Sequence, residues 1–304
     1  MNVHLVDGTY ELFRHYYAIP KSSNEAGQEV AATRGVCGSL LAMLEDGATH
    51  IAVATDHVIE SFRNDLWPGY KDGSDIEPEL LSQFGLLEDA LQAMGVTVWR
   101  MVEHEADDGM ASGVQLAVND TRVERVFVCT PDKDLAQCVE GTRVVQFDRR
   151  ARTIIDEDGV IAKFGVPPSA IPDYLALVGD SADGYPGLKG WGKKSAATVL
   201  ARYGHLEQIP DDGDTWEVDV RGKARLAETL AANRELALLF RTIATVVRDA
   251  PISTSVDELY WRGPTLEWAR AALRIGAPNL GPRAERLGAT RSPPPGPAAS
   301  PRSS

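Results

Sequence analysis

Short apolar runs alternate with stretches of helical periodicity over the first half of the chain. The apolar runs predict five strands, at residues 3–6, 51–54, 96–99, 125–129 and 143–147. Apolar residues spaced three and four apart predict helices between them, over residues 34–44, 79–94 and 105–118. Because strands that alternate with helices pair mostly in parallel, we expect an α/β fold with a twisted sheet flanked by helices.

The second half of the chain has a helical pattern instead. It predicts helices over residues 169–178, 193–203, 223–232 and 234–244. We therefore divide the chain into an α/β region at 1–165, a helical region at 166–285 and a tail at 286–304. Proline, serine and alanine dominate residues 292–304, which we expect to be disordered. Residues 62–75 show no regular pattern.

Composition narrows the class of protein. An apolar content of 43% in 304 residues is enough for a core, and no apolar run approaches the ~20 residues that span a bilayer. The first residues lack the charged start and apolar stretch of a signal peptide. Three cysteines without Cys-x-x-Cys spacing disfavour a disulfide framework or a zinc site. We expect a monomer in the reducing cytoplasm, with no membrane partner.

Acidic residues follow three of the predicted strands. Asp7, Asp56 and Asp132 stand at or just beyond the ends of apolar runs. Parallel strands bring their carboxyl ends to one edge of the sheet, where open α/β sheets bind ligands. Each acid alone is more often structural, for example at the start of a turn. Three such acids in one chain favour a site for a hard divalent cation such as Mg²⁺.

Two further acidic clusters add to this site. Glu105 and Asp108 are three residues apart on a predicted helix and share a face, whereas Asp107 points about a third of a turn away. Asp180 and Asp183 lie in Gly-Asp-Ser-Ala-Asp-Gly. Taken alone, the cluster at 105–108 is explained by the preference of a helix N-terminus for acids, and Asp180 and Asp183 are explained as caps of a turn. With the strand-end acids, these clusters indicate a two-metal site, which is suited to phosphodiester cleavage.

A basic, glycine-rich segment follows the last acids. The net charge of −13 argues against DNA binding over the whole surface, but no acid occurs between residues 184 and 206. The segment contains Lys189, Lys193 and Lys194, and glycines that allow close approach of a phosphate backbone. A solvated basic helix face is the alternative. Together with the acids, the segment favours metal-dependent cleavage of nucleic acid.

These motifs resemble the 5′-nuclease family, which includes the N-terminal exonuclease domain of bacterial DNA polymerase I, stand-alone relatives and flap endonucleases. The resemblance runs from about residue 3 to about residue 252. It rests on Leu-Val-Asp-Gly at Asp7, Ser-Phe-Arg…Gly-Tyr-Lys at 61–71, Glu-Ala-Asp-Asp at 105–108, Thr-Pro-Asp-Lys-Asp-Leu at 130–135, and the run from Val-Gly-Asp-Ser-Ala-Asp-Gly to Gly-Trp-Gly-Lys-Lys-Ser-Ala at 178–196. It implies a PIN-like nuclease core followed by a helix–three-turn–helix region that binds DNA.

The resemblance implies two Mg²⁺ or Mn²⁺ ions. The ligands of the first cluster would be Asp7, Asp56, Glu105, Asp107, Asp108 and Asp132. The second cluster would contain Asp180 and Asp183, and Asp134 matches a further acid that acts through water. Lys71 matches the active-site lysine of an arch segment at about 60–95, where it would stabilise negative charge on the phosphate.

The resemblance also implies DNA contacts. Residues 186–203 would grip the duplex backbone through Gly187, Lys189, Gly190, Gly192, Lys193 and Lys194. In relatives a K⁺ ion can bridge this loop to DNA, so K⁺ is a further candidate ion. Tyr10 and Tyr16 stand where aromatic residues stack on an unpaired base. Arg63 is another candidate contact, because the usual Tyr-Lys-x-x-Arg pattern has Ser74 in place of its arginine.

We therefore expect a structure-specific 5′-3′ exonuclease and flap endonuclease of DNA replication and repair. Its partner would be DNA with a free 5′ end, as a flap, nick or branched duplex, with an RNA–DNA hybrid as a further candidate. Ser74 predicts slower turnover, and Gly184, where asparagine is usual, predicts a looser turn.

Two alternatives remain. A DNA-binding protein with a weakened active site is suggested by Ser74 and the acidic net charge. A haloacid-dehalogenase-type phosphatase is suggested by Val-Asp-Gly-Thr, but Leu5 occupies the place of an aspartate that this motif needs.

Overall fold

A six-stranded sheet forms the centre of the N-terminal half. The computed structural model describes residues 1–291, so the disorder expected for 292–304 lies outside the described residues. The strands are β1 (Asn2–Asp7), β2 (His50–Asp56), β3 (Thr97–Met101), β4 (Arg125–Cys129), β5 (Val144–Asp148) and β6 (Thr153–Ile155). Their order is β3-β2-β1-β4-β5-β6, with β1 to β5 parallel and β6 antiparallel to β5. The predicted α/β fold with a mostly parallel sheet is confirmed.

Helices cover the sheet and form the second half of the molecule. In the first half they are α1 (Gly8–Ala18), α2 (Ala31–Glu45), α3 (Phe62–Leu66), α4 (Pro78–Leu81), α5 (Gln83–Ala93), α6 (Ala106–Val118) and α7 (Glu157–Phe164). In the second half they are α8 (Ile171–Val178), α9 (Lys193–Tyr203), α10 (Lys223–Ala232), α11 (Arg234–Ala244), α12 (Trp268–Arg274) and α13 (Leu280–Thr290). Within residues 1–291, no helix is long and apolar enough to cross a membrane.

The structure differs from the predicted elements in several places. The helix predicted over 79–94 is broken at Ser82, which ends α4 and precedes α5. The segment predicted to be irregular contains α3, which begins at Ser61 with a reciprocal cap between Ser61 and Asn64. The short strand β6 and helices α1, α7, α12 and α13 were not predicted. In α1 the buried residues include Glu11, a charged residue that hides the periodicity.

Three apolar clusters hold these elements together. One face of the sheet packs against α2 and α5 through residues such as Leu40 and Leu91. The other face packs against α6 through Met110 and Val114. The third cluster joins α8, α9, α10 and α11 in the helical region. The connections on either side of β1 run to opposite faces of the sheet, so a crevice opens at the carboxyl ends of β1 and β4.

Candidate active site

The carboxyl ends of the central strands carry acids that are fixed by backbone and hydroxyl donors. Asp7 ends β1 and caps α1, with Oδ1 accepting from the Tyr10 amide at 2.8 Å and Oδ2 from Thr130 Oγ1 at 3.0 Å. Asp56 ends β2, and its Oδ1 accepts from the Ala106 amide at 2.8 Å. Asp132 follows β4 by three residues. The three strand-end acids of the sequence therefore meet at one edge.

A cavity of about 730 Å³ opens at this edge. Five of the predicted ligands line it, namely Asp7, Asp56, Glu105, Asp107 and Asp132. Lys71 and Tyr10 also line it, as does Ser74. The cavity thus has a carboxylate floor and one lysine on its wall.

A second acidic cluster lies among Asp134, Asp180 and Asp183. One carboxylate oxygen from each lies within 4.8 Å of the others. The ammonium of Lys133 pairs with Asp180. Asp134 Oδ1 is buried and has no hydrogen-bond partner among residues 1–291. Asp134, for which the resemblance implied a role through water, thus sits directly beside the two predicted acids of the second cluster.

Burial, with smaller contributions from neighbouring carboxylates, disfavours the charged form of these acids. Burial, with Asp56 and Asp132 nearby, raises the pKa of Asp7 to about 7. Burial and the charges of Asp132 and Asp7 raise the pKa of Asp107 well above its usual value. The pKa values of Asp56, Asp134 and Asp183 are also raised, chiefly by burial. The ionised form of these acids is therefore costly unless a cation lies beside them.

Lys71 links the two clusters. Its Nζ lies 3.1 Å from Glu105 Oε2 and 2.9 Å from Asp183 Oδ1. Burial would raise the pKa of Glu105, but Lys71 and Arg63 hold it below its usual value. Glu105 also accepts from Ser61 Oγ at 2.7 Å and Tyr70 Oη at 3.1 Å. Sequence reasoning assigned no role to Ser61 or Tyr70, although both lie within the quoted motifs.

Asp108 and Arg63 require correction. Arg63 donates to both oxygens of Asp108, at 2.7 and 2.8 Å, and to the carbonyls of Ile243 and Thr245. Asp108 also accepts from the amides of Glu105 and Val247. Its oxygens are thereby occupied, so Asp108 is a structural acid rather than a metal ligand. Arg63 is only 2% exposed, so it cannot be the predicted DNA contact.

One of the two candidate stacking residues is also corrected. Tyr16 is 7% exposed, and its hydroxyl donates to Glu77 Oε2 at 2.8 Å. A buried ring of this kind cannot stack on a base. Tyr10 is partly exposed and lines the cavity, and the neighbouring Tyr17 is 65% exposed.

The glycine-rich basic segment lies on the surface. Lys189, Lys193 and Lys194 are exposed, and no ion pair within residues 1–291 includes them. A Cβ on Gly192 would meet no atom within 4 Å, and one on Gly190 would meet only a Leu226 methyl at 3.9 Å. Gly187 differs, because a Cβ there would lie 2.4 Å from the Gly179 amide nitrogen. Its glycine is required by packing within the protein.

The donor set fits divalent cations. Every side chain of the two clusters is a carboxylate, the ligand type that Mg²⁺ and Mn²⁺ prefer. The buried Asp134 oxygen has no hydrogen-bond partner among residues 1–291, and a bound cation would favour the ionised form of an acid whose pKa burial raises.

Comparison with known proteins identifies the family. The family model described as "5'-3' exonuclease, N-terminal resolvase-like domain" matches residues 2–165, and the one described as "5'-3' exonuclease, C-terminal SAM fold" matches residues 166–267. The chain belongs to the 5′-3′ exonuclease family. The family and nuclease class predicted from the motifs are confirmed, and the non-enzymatic alternative is not favoured.

Relatives of known name support this assignment. DNA polymerase I of Bacillus caldotenax is 32% identical over 268 residues, which are 86% of this chain and 30% of the polymerase. The chain thus spans about a third of the length of the curated relatives it matches.

Solved structures show the same fold at lower identity. Zinc-bound T5 5′-exonuclease has a TM-score of 0.64 at 20% identity, over 94% of this chain and 98% of that chain. The catalytic core of Rad2 in complex with a DNA substrate has a TM-score of 0.61 at 15% identity, over 93% of this chain and 90% of that chain.

Proposed function

We propose that this exonuclease-family protein hydrolyses DNA phosphodiesters near 5′ ends in replication and repair, using two bound divalent cations. The observation that supports this most strongly is the pair of carboxylate clusters at the sheet edge, joined by Lys71. Asp7, Asp56, Glu105, Asp107 and Asp132 would hold one ion, and Asp134, Asp180 and Asp183 the other. Two Mg²⁺ ions would supply an activated water and neutralise charge on the leaving oxygen.

Lys71 acts on the phosphate. In the absence of substrate its ammonium is shared between Glu105 and Asp183. A phosphate entering the cavity offers the same ammonium a third anionic partner, where it stabilises charge that develops during hydrolysis. Tyr70, which holds Glu105, fixes the position from which Lys71 reaches.

DNA binds along the exposed basic segment. The amino end of α9 presents backbone amides beside Lys193 and Lys194, which is an arrangement suited to phosphate. Gly187 and Gly190 have positive φ angles, a backbone conformation that favours glycine in the loop before α9. Carbonyls of this loop are the candidate K⁺ ligands. We propose that the protein acts as a cytoplasmic monomer on nicked or branched duplex DNA, and on RNA–DNA hybrids with a 5′ end.

Cleavage of labelled duplexes tests this function. We expect a nicked duplex, a short 5′ flap and the matching RNA–DNA hybrid to be cut with Mg²⁺ or Mn²⁺ and left intact with EDTA. Asp132→Ala should abolish cutting, whereas Asp158→Ala, which changes an exposed acid of α7, should not. Tight DNA binding without cutting under any metal would instead mean a binding protein on a nuclease scaffold.

A further inference from the structure

Tyr185 carries a hydroxyl group that is buried without a protein partner. The residue is 1% exposed, and its Oη has no hydrogen-bond partner in the described part of the chain. A buried hydroxyl of this kind destabilises a fold, and phenylalanine would fill the same space without that cost. The hydroxyl therefore needs an explanation in the chemistry of its surroundings.

The backbone places Tyr185 beside the second acidic cluster. The amides of Asp180 and Tyr185 donate to each other's carbonyls, at 2.8 and 3.0 Å, in an antiparallel bridge. Residues directly opposite each other in such a pair project their side chains from the same face. Tyr185 therefore leaves the backbone on the same face as the Asp180 carboxylate, which belongs to the second cluster.

The ring of Tyr185 is held in place by the core of the helical region. It packs against Phe240 of α11 with the ring centroids 5.4 Å apart, and Phe240 contacts Trp67 edge to face at 5.1 Å. A tyrosine has only two side-chain torsions, so a fixed ring also fixes the position of its hydroxyl. Tyr185 Oη is thus held inside the protein.

The surrounding charges locate this hydroxyl among the carboxylates. Burial raises the pKa of Tyr185 well above its usual value, and neighbouring carboxylates raise it further, Asp134 most, followed by Asp183 and Asp180. The phenol therefore keeps its proton and can both donate and accept a hydrogen bond.

Asp134 provides the complementary group. Its Oδ1 is also buried and also lacks a hydrogen-bond partner among residues 1–291, so the two groups do not bond directly to each other. A hydroxyl and a carboxylate oxygen buried at one cluster are suited to a shared water, which can bond to both. Mg²⁺ held by carboxylates usually retains several waters.

We propose that Tyr185 is a positioning residue of the second cluster, where its hydroxyl and Asp134 Oδ1 together hold water in the coordination shell of the cation. Outer hydrogen bonds of this kind orient the inner shell of a metal site. This inference rests on the proposed function, because it requires a cation among Asp134, Asp180 and Asp183. Tyr185 itself touches neither the substrate nor the cation.

The substitution Tyr185→Phe tests this role, because it removes only the hydroxyl and keeps the ring against Phe240. We expect calorimetric titration with Mn²⁺, without DNA, to show binding about ten- to a hundredfold weaker at one of two sites. In EDTA the melting temperature should stay the same or rise, since the unpartnered hydroxyl is gone. An unchanged Mn²⁺ affinity would overturn the proposal.

Tyr260→Phe is the matched control. Tyr260 packs against His50, which begins β2 at the opposite edge of the sheet, so this change should leave Mn²⁺ binding as it is. An equal loss in both variants would overturn the specific role of Tyr185.

A double-mutant cycle assigns the effect to one cluster. Asp180→Asn removes charge from the second cluster but keeps an oxygen that can accept the Ala182 amide. In that background Tyr185→Phe should cause less than about twofold further loss of Mn²⁺ affinity, because both changes act on the same ion. Equal losses in both backgrounds would place the hydroxyl outside the second cluster and contradict the proposal.

Cleavage of a nicked duplex provides a second measurement and separates this inference from the proposed function. The Mg²⁺ concentration for half-maximal cutting should rise in Tyr185→Phe by the same factor as the loss of affinity, while the rate at saturating Mg²⁺ falls much less. The same Mg²⁺ requirement in both proteins would contradict only the role of Tyr185. Failure of the unmodified protein to bind Mn²⁺ and to cut the nick would contradict the proposed function itself.

Discussion

The cavity and the basic segment are both charged surfaces, but they are built in opposite ways. Around the cavity, buried acids lie against one another, and their pKa values are raised. On the basic segment, Lys189, Lys193 and Lys194 are exposed and make no ion pair with the described residues. The first arrangement costs stability unless a cation is bound, whereas the second costs little. Buried carboxylates gathered at one cavity are typical of a metal site, whereas exposed lysines are typical of a surface that binds phosphate.

The largest expected effect separates the two regions directly. Asp180→Ala removes a carboxylate of the second cluster, so cleavage should fall by at least about a thousandfold. DNA affinity should persist, because the exposed lysines are unchanged. Single-turnover cleavage and fluorescence anisotropy measure the two properties. Equal losses in both would show that the cavity also carries the binding energy.

The next effect concerns stability rather than chemistry. Arg63→Ala leaves Asp108 buried without its partner and should cost about 3–5 kcal/mol in the free energy of unfolding. The double change Arg63→Met with Asp108→Leu should recover much of this loss, since it leaves no unpaired charge. Urea unfolding measures both. A DNA affinity lowered by Arg63→Ala at full stability would contradict the structural role.

Variants of the basic segment should lose DNA affinity and keep the rate of cleavage, which is the reverse of the result expected for Asp180→Ala. Lys193→Ala with Lys194→Ala should weaken binding about tenfold and reduce the salt slope by up to about two units, irrespective of sequence. At saturating DNA the single-turnover rate should be unchanged. Arg270→Ala with Arg286→Ala, at exposed positions of α12 and α13, is the matched control. An unaltered slope would exclude the segment from the interface.

The smallest effect is the pH dependence of the metal-free protein. The folded-state pKa of Asp7 is about 7, above its usual value of 3.8, so the folded protein holds a proton that the unfolded chain releases. Its contribution to stability is present below about pH 4 and is lost as pH rises to about 7. In EDTA the melting temperature should therefore be higher at about pH 5 than at about pH 8, and less so in Asp7→Asn.

Adding Mg²⁺ should reverse this trend, because the ion binds the deprotonated acids. A melting temperature that rises with pH in EDTA would contradict the raised pKa of Asp7 in the metal-free protein.

The sequence predicts the strand-end acids well and the neighbouring acids poorly. Asp7, Asp56 and Asp132 meet because parallel strands share an edge, which apolar runs alone reveal. Asp107 and Asp108 are adjacent, yet one lines the cavity and the other is paired with Arg63, 45 residues away. No local pattern shows such a partner.

The burial of Tyr16 could not be predicted from local sequence. Its ring packs in the apolar cluster beside α2 and α5, and its hydroxyl donates to Glu77, 61 residues later. The helix predicted over 79–94 breaks at Ser82 although its apolar spacing continues. Ser82 Oγ donates to the Glu79 carbonyl at 2.8 Å, and such side-chain bonds compete with the hydrogen bonds of a helix.

The backbones of Gly69 and Gly184 are in contact, which limits the substitutions that evolution or engineering can make at either position. Asparagine, usual at position 184 in the family, would place its Cβ on the Gly69 carbonyl, so this loop is held tightly rather than loosened. Residues 67–71 grafted from a relative would need the matching loop after Asp183, and asparagine at position 184 would need the Gly69 backbone to move. The two segments must therefore change together, as a single evolutionary module.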